Sequence, residues 1–232
     1  MALARWKDLC IDATDARRTA DFWGGVLGLR VQHDHDGDAV LRGERPEQTI
    51  WVNTVPEPRT VKQRVHLDLE AASLAPIVAL GATVVLDAAD SGFPWTVLAD
   101  PEGGELCVFV RDGVPADPPA RLYELAVDTA TSETSRSLAE WWASVLDGQA
   151  VHDGRGFWWV TDVDGLPFES LDIVPVPEPK AVKNRLHWDV VSDDVHGLIA
   201  RGATVLAVPA ETTPWHVLAD PDGNEFCVFP PT

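Results

Sequence analysis

Apolar and polar side chains alternate through RWKDLCID at 5–12, with Lys7, Leu9 and Ile11 on one face and Trp6, Asp8, Cys10 and Asp12 on the other. A period of two reads as a half-buried strand. Residues 15–28, DARRTADFWGGVLG, read as a helix with Asp15 or Thr14 as N-cap and Gly28 as its stop. Strands near 29–34, 38–42 and 49–55 follow, broken by the turn-like DHDGD. The strand RVHLDLE at 64–70 then sets Val65, Leu67 and Leu69 against His66, Asp68 and Glu70. A helix through about 71–80 should end at Gly81, with strands at 82–87, 95–99 and 105–110 after it. The last of these opposes Leu106 and Val108 to Glu105 and Cys107.

The whole series then recurs. KQRVHLDLE at 62–70 returns as KNRLHWDVV at 183–191, and GATVVLDA at 81–88 as GATVLAVP at 202–209. PWTVLADPEGGELCVF at 94–109 returns as PWHVLADPDGNEFCVF at 214–229, while VPEP recurs at 55–58 and 176–179 and Trp23 at Trp142. A shared offset of 119 to 121 residues, in constant order, marks a tandem duplication. The predicted domains are 1–112 and 120–232, joined by a Pro- and Asp-rich linker at 113–119. Each is an α+β module of two βαβββ units forming a curved mixed sheet around a cleft. In the second copy, Leu186, Trp188 and Val190 oppose His187, Asp189 and Val191, and Phe226 and Val228 oppose Glu225 and Cys227. Acids, a histidine and a thiol on central strands are better explained by a cleft than by plain solvent exposure.

Composition narrows the partners. A formal charge of −19 opposes binding to nucleic acid or to an anionic membrane surface, since phosphate repels such a chain. No window approaches eighteen apolar residues, so no membrane span is expected. Three cysteines and no leader-like segment fit a reducing cytoplasm.

With these motifs, the sequence resembles the vicinal oxygen chelate superfamily of glyoxalases, bleomycin-resistance proteins and dihydroxybiphenyl-type dioxygenases. The resemblance rests on the Phe22-Trp23 and Leu27-Gly28 pairs of the first helix, the His66 strand, the GAT segments and the DPEGG and DPDGN turns. It implies metal ligands on the first, fifth and eighth strands of a module. Those positions fall on Asp8, His66 and Cys107 in the first copy and on Glu124, His187 and Cys227 in the second. The glutamate usual on the eighth strand is missing, while Glu105 and Glu225 lie two residues earlier. No cofactor is therefore expected, with a divalent ion the less favoured case. Each histidine has a carboxylate, Asp8 or Glu124, as a candidate partner across its sheet.

The candidate acid–base residues are His66, His187, Asp8, Glu124, Asp68 and Asp189. The candidate ligand contacts are Trp51, Trp158, Trp159, Cys107, Cys227, Glu105 and Glu225, since Trp51, Trp158 and Trp159 have no tryptophan counterpart in the other copy. Lys62, Arg64, Lys183 and Arg185 are expected to pair with carboxylates rather than to hold a ligand. Three functions compete. One is a non-redox lyase, isomerase or cyclase acting on a small organic molecule. The others are a sequestering protein of the bleomycin-resistance kind and a metal-dependent glyoxalase- or dioxygenase-like enzyme. Pairing between the copies allows a monomer, with a homodimer as the alternative.

Overall fold

The computed structural model of the chain describes residues 2–154 and 156–231. Strand β1 (Arg5–Ala13) leads into helix α1 (Ala16–Leu27), followed by β2 (Arg30–His33), β3 (Ala39–Arg42) and β4 (Ile50–Thr54). The next unit is β5 (Val65–Ala71), α2 (Ala75–Ala79), β6 (Thr83–Leu86), α3 (Ala88–Ser91), β7 (Thr96–Ala99) and β8 (Glu105–Val110). The second copy opens with β9 (Ala120–Thr129), α4 (Ser132–Leu146), β10 (Gln149–His152), β11 (Trp158–Thr161) and β12 (Ser170–Pro175). It closes with β13 (Leu186–Val191), α5 (Val195–Ala200), β14 (Thr204–Ala207), β15 (His216–Ala219) and β16 (Glu225–Phe229).

Local chemistry fixes the long helices. The Asp15 side chain accepts from the Arg18 amide at the start of α1, and Gly28 ends it at φ 66. Thr131 caps α4 in the same way, but its left-handed stop is Asp147 at φ 60, which costs about 1 kcal/mol relative to glycine. The second helix of the first copy is shorter than its sequence suggests. Ala71 stays in β5, paired with Ala120 and Val110, so helix can begin only at Ala75.

The described residues form two sheets, α+β in class, but each draws on both copies. One runs β14-β15-β16-β13-β1-β4-β3-β2 and the other β10-β11-β12-β9-β5-β8-β7-β6. The expectation that both units of one copy share a sheet is thereby corrected. Strand β1 pairs antiparallel with β13, and β5 with β9, so the two central seams join the copies. Residues 55–64 and 176–185 carry the chain from one sheet to the other. Residues 111–119 between the copies form neither strand nor helix.

One contiguous core holds both sheets together and includes Trp23, Leu67, Leu125, Trp142, Trp188 and Phe226. The central seams each carry a bulge, at Lys7 and at Tyr123. The first overturns part of the predicted alternation. An extra residue reverses the side-chain phase, so Trp6 turns into the core against Phe168, with ring centroids 5.0 Å apart. Lys7 turns instead towards Asp8.

Candidate functional site

The seam between β5 and β9 places Asp68 opposite Glu124 and His66 opposite Ala126. Its flanking strands extend these rows. Cys107 of β8 lies beside Asp68, Ser170 of β12 beside Glu124, and Asp172 of β12 beside Ala126. Period two sends Asp68, Glu124, His66 and Asp172 to one face, where they line a cavity of about 920 Å³. Aromatic walls rise from the same strands and loops. Phe93 stacks on Trp95 at 4.8 Å, Phe109 lies 5.4 Å from Trp95 and 5.5 Å from Tyr123, and Trp159 also lines the cavity.

The electrostatics of this cleft are those of crowded carboxylates in little water. Burial raises Asp172 to about 7, helped by the charges of Glu124 and Asp153. Burial raises Asp68 well above the carboxylate range, with Asp172 and Glu124 adding to it and the Cys107 hydrogen bond opposing it. Glu124 is raised by burial as well, against the stabilising bond that Ser170 Oγ donates at 2.9 Å. His66 is lowered, burial outweighing the pull of Asp128, so its imidazole is neutral near pH 7. Its Nε2 stands 3.3 Å from Asp68 Oδ1, while His66 Nδ1 has no hydrogen-bond partner. Burial and the neighbouring Asp68 push the Cys107 thiol upward, which leaves it a poor nucleophile.

The related face of the other sheet is assembled from Asp8 and Cys10 of β1, His187 and Asp189 of β13, Trp51 of β4 and Cys227 of β16. Here the chain supplies its own cation. Lys7 Nζ lies 2.7 Å from Asp8 Oδ2, 3.6 Å from Asp189 Oδ2 and 4.1 Å from the Phe229 ring centre. Trp51 Nε1 donates to Asp8 Oδ2 at 3.0 Å, and Trp215 stacks on Phe229 at 4.8 Å. Asp189 is raised to about 8, chiefly by burial and then by Asp8, with Lys7 opposing. His187 is lowered by burial.

The ligand sets drawn along each copy are therefore not the spatial ones. Asp8 stands with His187 and Cys227, and Glu124 with His66 and Cys107, so Asp8/His66/Cys107 and Glu124/His187/Cys227 are each divided between sheets. The reason is the pairing of the copies at both seams. Among the described residues, His66, Asp68 and Cys107 form one group whose ligand atoms lie within 4.8 Å of one another, and Cys10, His187 and Asp189 form another. Nor is either histidine paired with Asp8 or Glu124 by a hydrogen bond; the nearest carboxylate to His66 is Asp68, on its own strand.

Other candidates sort by face. Trp159 lines the open cleft, whereas Trp158 packs on the core and stacks on His152 at 4.6 Å. Glu105 meets Arg59 and accepts from the Gln63 amide, and Glu225 meets Lys180 at 2.8 Å and the Asn184 amide. Both tie down the loops entering β5 and β13. The four repeated cations clasp one copy to the other. Lys62 meets Asp128 at 2.6 Å and Lys183 meets Asp12, Arg64 bonds the carbonyls of Asp128 and Glu178, and Arg185 meets Glu102 at 3.0 Å. Asp172, Ser170 and Tyr123 were not singled out by sequence. Asp172 occupies the place that Trp51 fills in the other sheet, beside Ala126 as Trp51 is beside Cys10.

The sequence matches the glyoxalase-like domain family twice, over residues 8–109 and 124–229. Glyoxalase I from Zea mays has a similar structure, at 13% identity and a TM-score of 0.64, over 97% of this chain and 92% of that one. A putative dioxygenase from Bacillus subtilis aligns at 13% identity and a TM-score of 0.63, over 99% of this chain and 86% of that one. The cppA protein from Streptococcus pneumoniae aligns over the full length of both chains, at 10% identity and a TM-score of 0.53. These identities speak to fold alone. A search of curated protein sequences finds no significant match.

Proposed function

The chain belongs to the glyoxalase-like domain family, and from that premise we propose that it is a non-redox acid–base enzyme acting on a small organic molecule. The reaction is of the lyase, isomerase or cyclase type, and its site is the cleft between β5–β8 and β9–β12. One observation carries this reading: Asp68, Glu124 and Asp172 share one open cavity, with Asp172 held at about 7. A carboxyl poised there both takes and gives a proton near neutral pH. Asp172 is the group that exchanges a proton with the ligand. Asp68, raised by burial, lies beside it as a second hydrogen-bonding group for the polar part of the ligand. Glu124 is oriented by Ser170. His66, neutral, accepts or donates at its unpartnered Nδ1. The aromatic walls exclude water and position the ligand by area burial.

The donor chemistry of this cleft also fits a divalent ion. His66 Nδ1 and Asp68 Oδ1 are buried without hydrogen-bond partners, and His66, Asp68 and Cys107 are competent zinc ligands. An ion held there would supply Lewis-acid polarisation of a ligand oxygen. The acid–base roles of Asp172 and Glu124 do not depend on it. We further place the protein in a reducing cytoplasm, a reading supported by three buried free thiols. No helix among the described residues is long and apolar enough to cross a membrane.

The aromatic walls favour a second reading, a sequestering protein that binds its ligand unchanged. Turnover separates the two. Small molecules retained on the purified protein are released, identified by mass spectrometry and returned to fresh protein in D₂O. The enzyme reading expects solvent deuterium in the ligand or a new product, slowed about a hundredfold by Asp172→Asn. A ligand recovered unlabelled and unaltered would assign sequestration.

A further inference from the structure

The two clefts are built on the same plan, and one difference between them points to a ligand. Glu124, Asp68 and Phe109 of the open cleft stand where Asp8, Asp189 and Phe229 stand in the other. In the second cleft the bulge residue is Lys7, whose ammonium sits between the two carboxylates and over the phenyl ring. In the open cleft the bulge residue is Tyr123, and among the described residues no ammonium takes that place.

Among the described residues, the remaining charges do not make up the deficit. Glu105, Asp128 and Glu169 are matched by Arg59, Lys62 and Arg121. Among the described residues, no lysine or arginine comes within ion-pair distance of Asp68, Glu124 or Asp172. Arg111 lies 5.1 Å from the Phe109 ring and 4.6 Å from the Tyr123 ring and its charge partly offsets the rise at Glu124, but it is engaged by the buried Glu70 and does not line the cavity. Asp68 Oδ1 is buried without a hydrogen-bond partner. The raised carboxyls are the electrostatic record of this crowding, and a cation among them would be attracted at low local dielectric.

Resting on the reading of this cleft as the ligand site, we infer that its ligand is an organic cation, an ammonium group on a flat apolar body. The ammonium occupies the position that Lys7 Nζ holds in the sister cleft, between Asp68 and Glu124 and within reach of Asp172. The apolar body lies against Trp95, Phe109 and Trp159. The internal lysine of one half of the molecule is thus a template for the substrate of the other.

Calorimetric titration with three probes of one shape tests this: tryptamine, a cation; tryptophol, neutral; and indole-3-propionate, an anion. Tryptamine should bind at least about tenfold more tightly than the other two. Glu124→Gln with Asp172→Asn should remove that preference and leave tryptophol affinity unchanged. Tyr123→Lys, which restores the internal ammonium, should abolish tryptamine binding, with near-UV circular dichroism confirming the fold of each variant. Equal or tighter binding of tryptophol or indole-3-propionate overturns the cation while keeping the cleft as a ligand site. Binding of none of the three overturns both. Tryptamine bound as tightly by folded Tyr123→Lys as by wild type also overturns the assignment.

Discussion

Asp172→Asn should stabilise the protein, and should do so more as the pH rises. The native carboxyl titrates at about 7 and an unfolded one at about 3.8, so between these values the folded chain holds a proton that the unfolded chain has released. The folded state then binds more protons, and stability falls as pH rises through that window. At about 1.4 kcal/mol per pH unit, the full loss above pH 7 is about 4 kcal/mol, and at about pH 5.5 it is about 2 kcal/mol. Asparagine keeps the shape and cannot ionise, so it escapes the loss. Urea denaturation of wild type and variant at about pH 5.5 and pH 8 should show the variant's advantage growing by about 2 kcal/mol. A variant less stable than wild type at the higher pH would refute the reasoning, as would an advantage that does not change with pH. The gain in stability should accompany a loss of turnover, because the same crowding that destabilises the fold poises the group.

Other consequences are as open to measurement. Residues 1–112 or 113–232 expressed alone should dimerise or aggregate on gel filtration, since each leaves both seam strands unpaired; a stable monomer would count against cross-copy pairing. Cys10, Cys107 and Cys227 are buried with raised pKa, so a chromogenic disulfide reagent at about pH 8 should label none until denaturant is added. Asp220→Ala should cost about 3 kcal/mol in urea, because Asp220 accepts from the Asp222 and Asn224 amides and from Trp142 Nε1. Turnover, once a substrate is found, should survive chelation with EDTA; its loss, with stoichiometric zinc by mass spectrometry, would make His66, Asp68 and Cys107 ligands.

What the sequence carried was mostly local. Alternation and caps identified β1, α1 and β5 within a residue or two, because Asp15, Gly28 and the Val65-Leu67-Leu69 stripe act through neighbouring backbone. The repeat made the α+β pattern legible twice over. Partner choice between strands was not legible, since the apolar face of β1 is equally satisfied beside β5 or β13. The bulges were hidden for a similar reason: nothing in Trp6-Lys7-Asp8 says that one residue will be left unpaired, and only the register with β13 reveals it. The candidate site was half visible. His66, Asp68, Glu124 and Cys107 are all legible as candidates, but reading along each copy sets Glu124 with His187 and Cys227 rather than with His66 and Cys107. Asp172 carries no repeat signal, because the position that corresponds to it in the other sheet holds Trp51. Placing the two copies in register at positions 51 and 172 would have exposed the exchange of an indole for a carboxylate.

The mixed parentage of the sheets has a consequence for how such a molecule changes over generations. In a symmetric pair of identical chains, every substitution appears at both sites at once, so a change useful in one is imposed on the other. Here the corresponding positions are written at separate places in a single gene. Lys7 and Tyr123, or Trp51 and Asp172, can drift apart without compromise. One pocket can be sacrificed to hold the halves firmly, leaving its twin free to explore new chemistry.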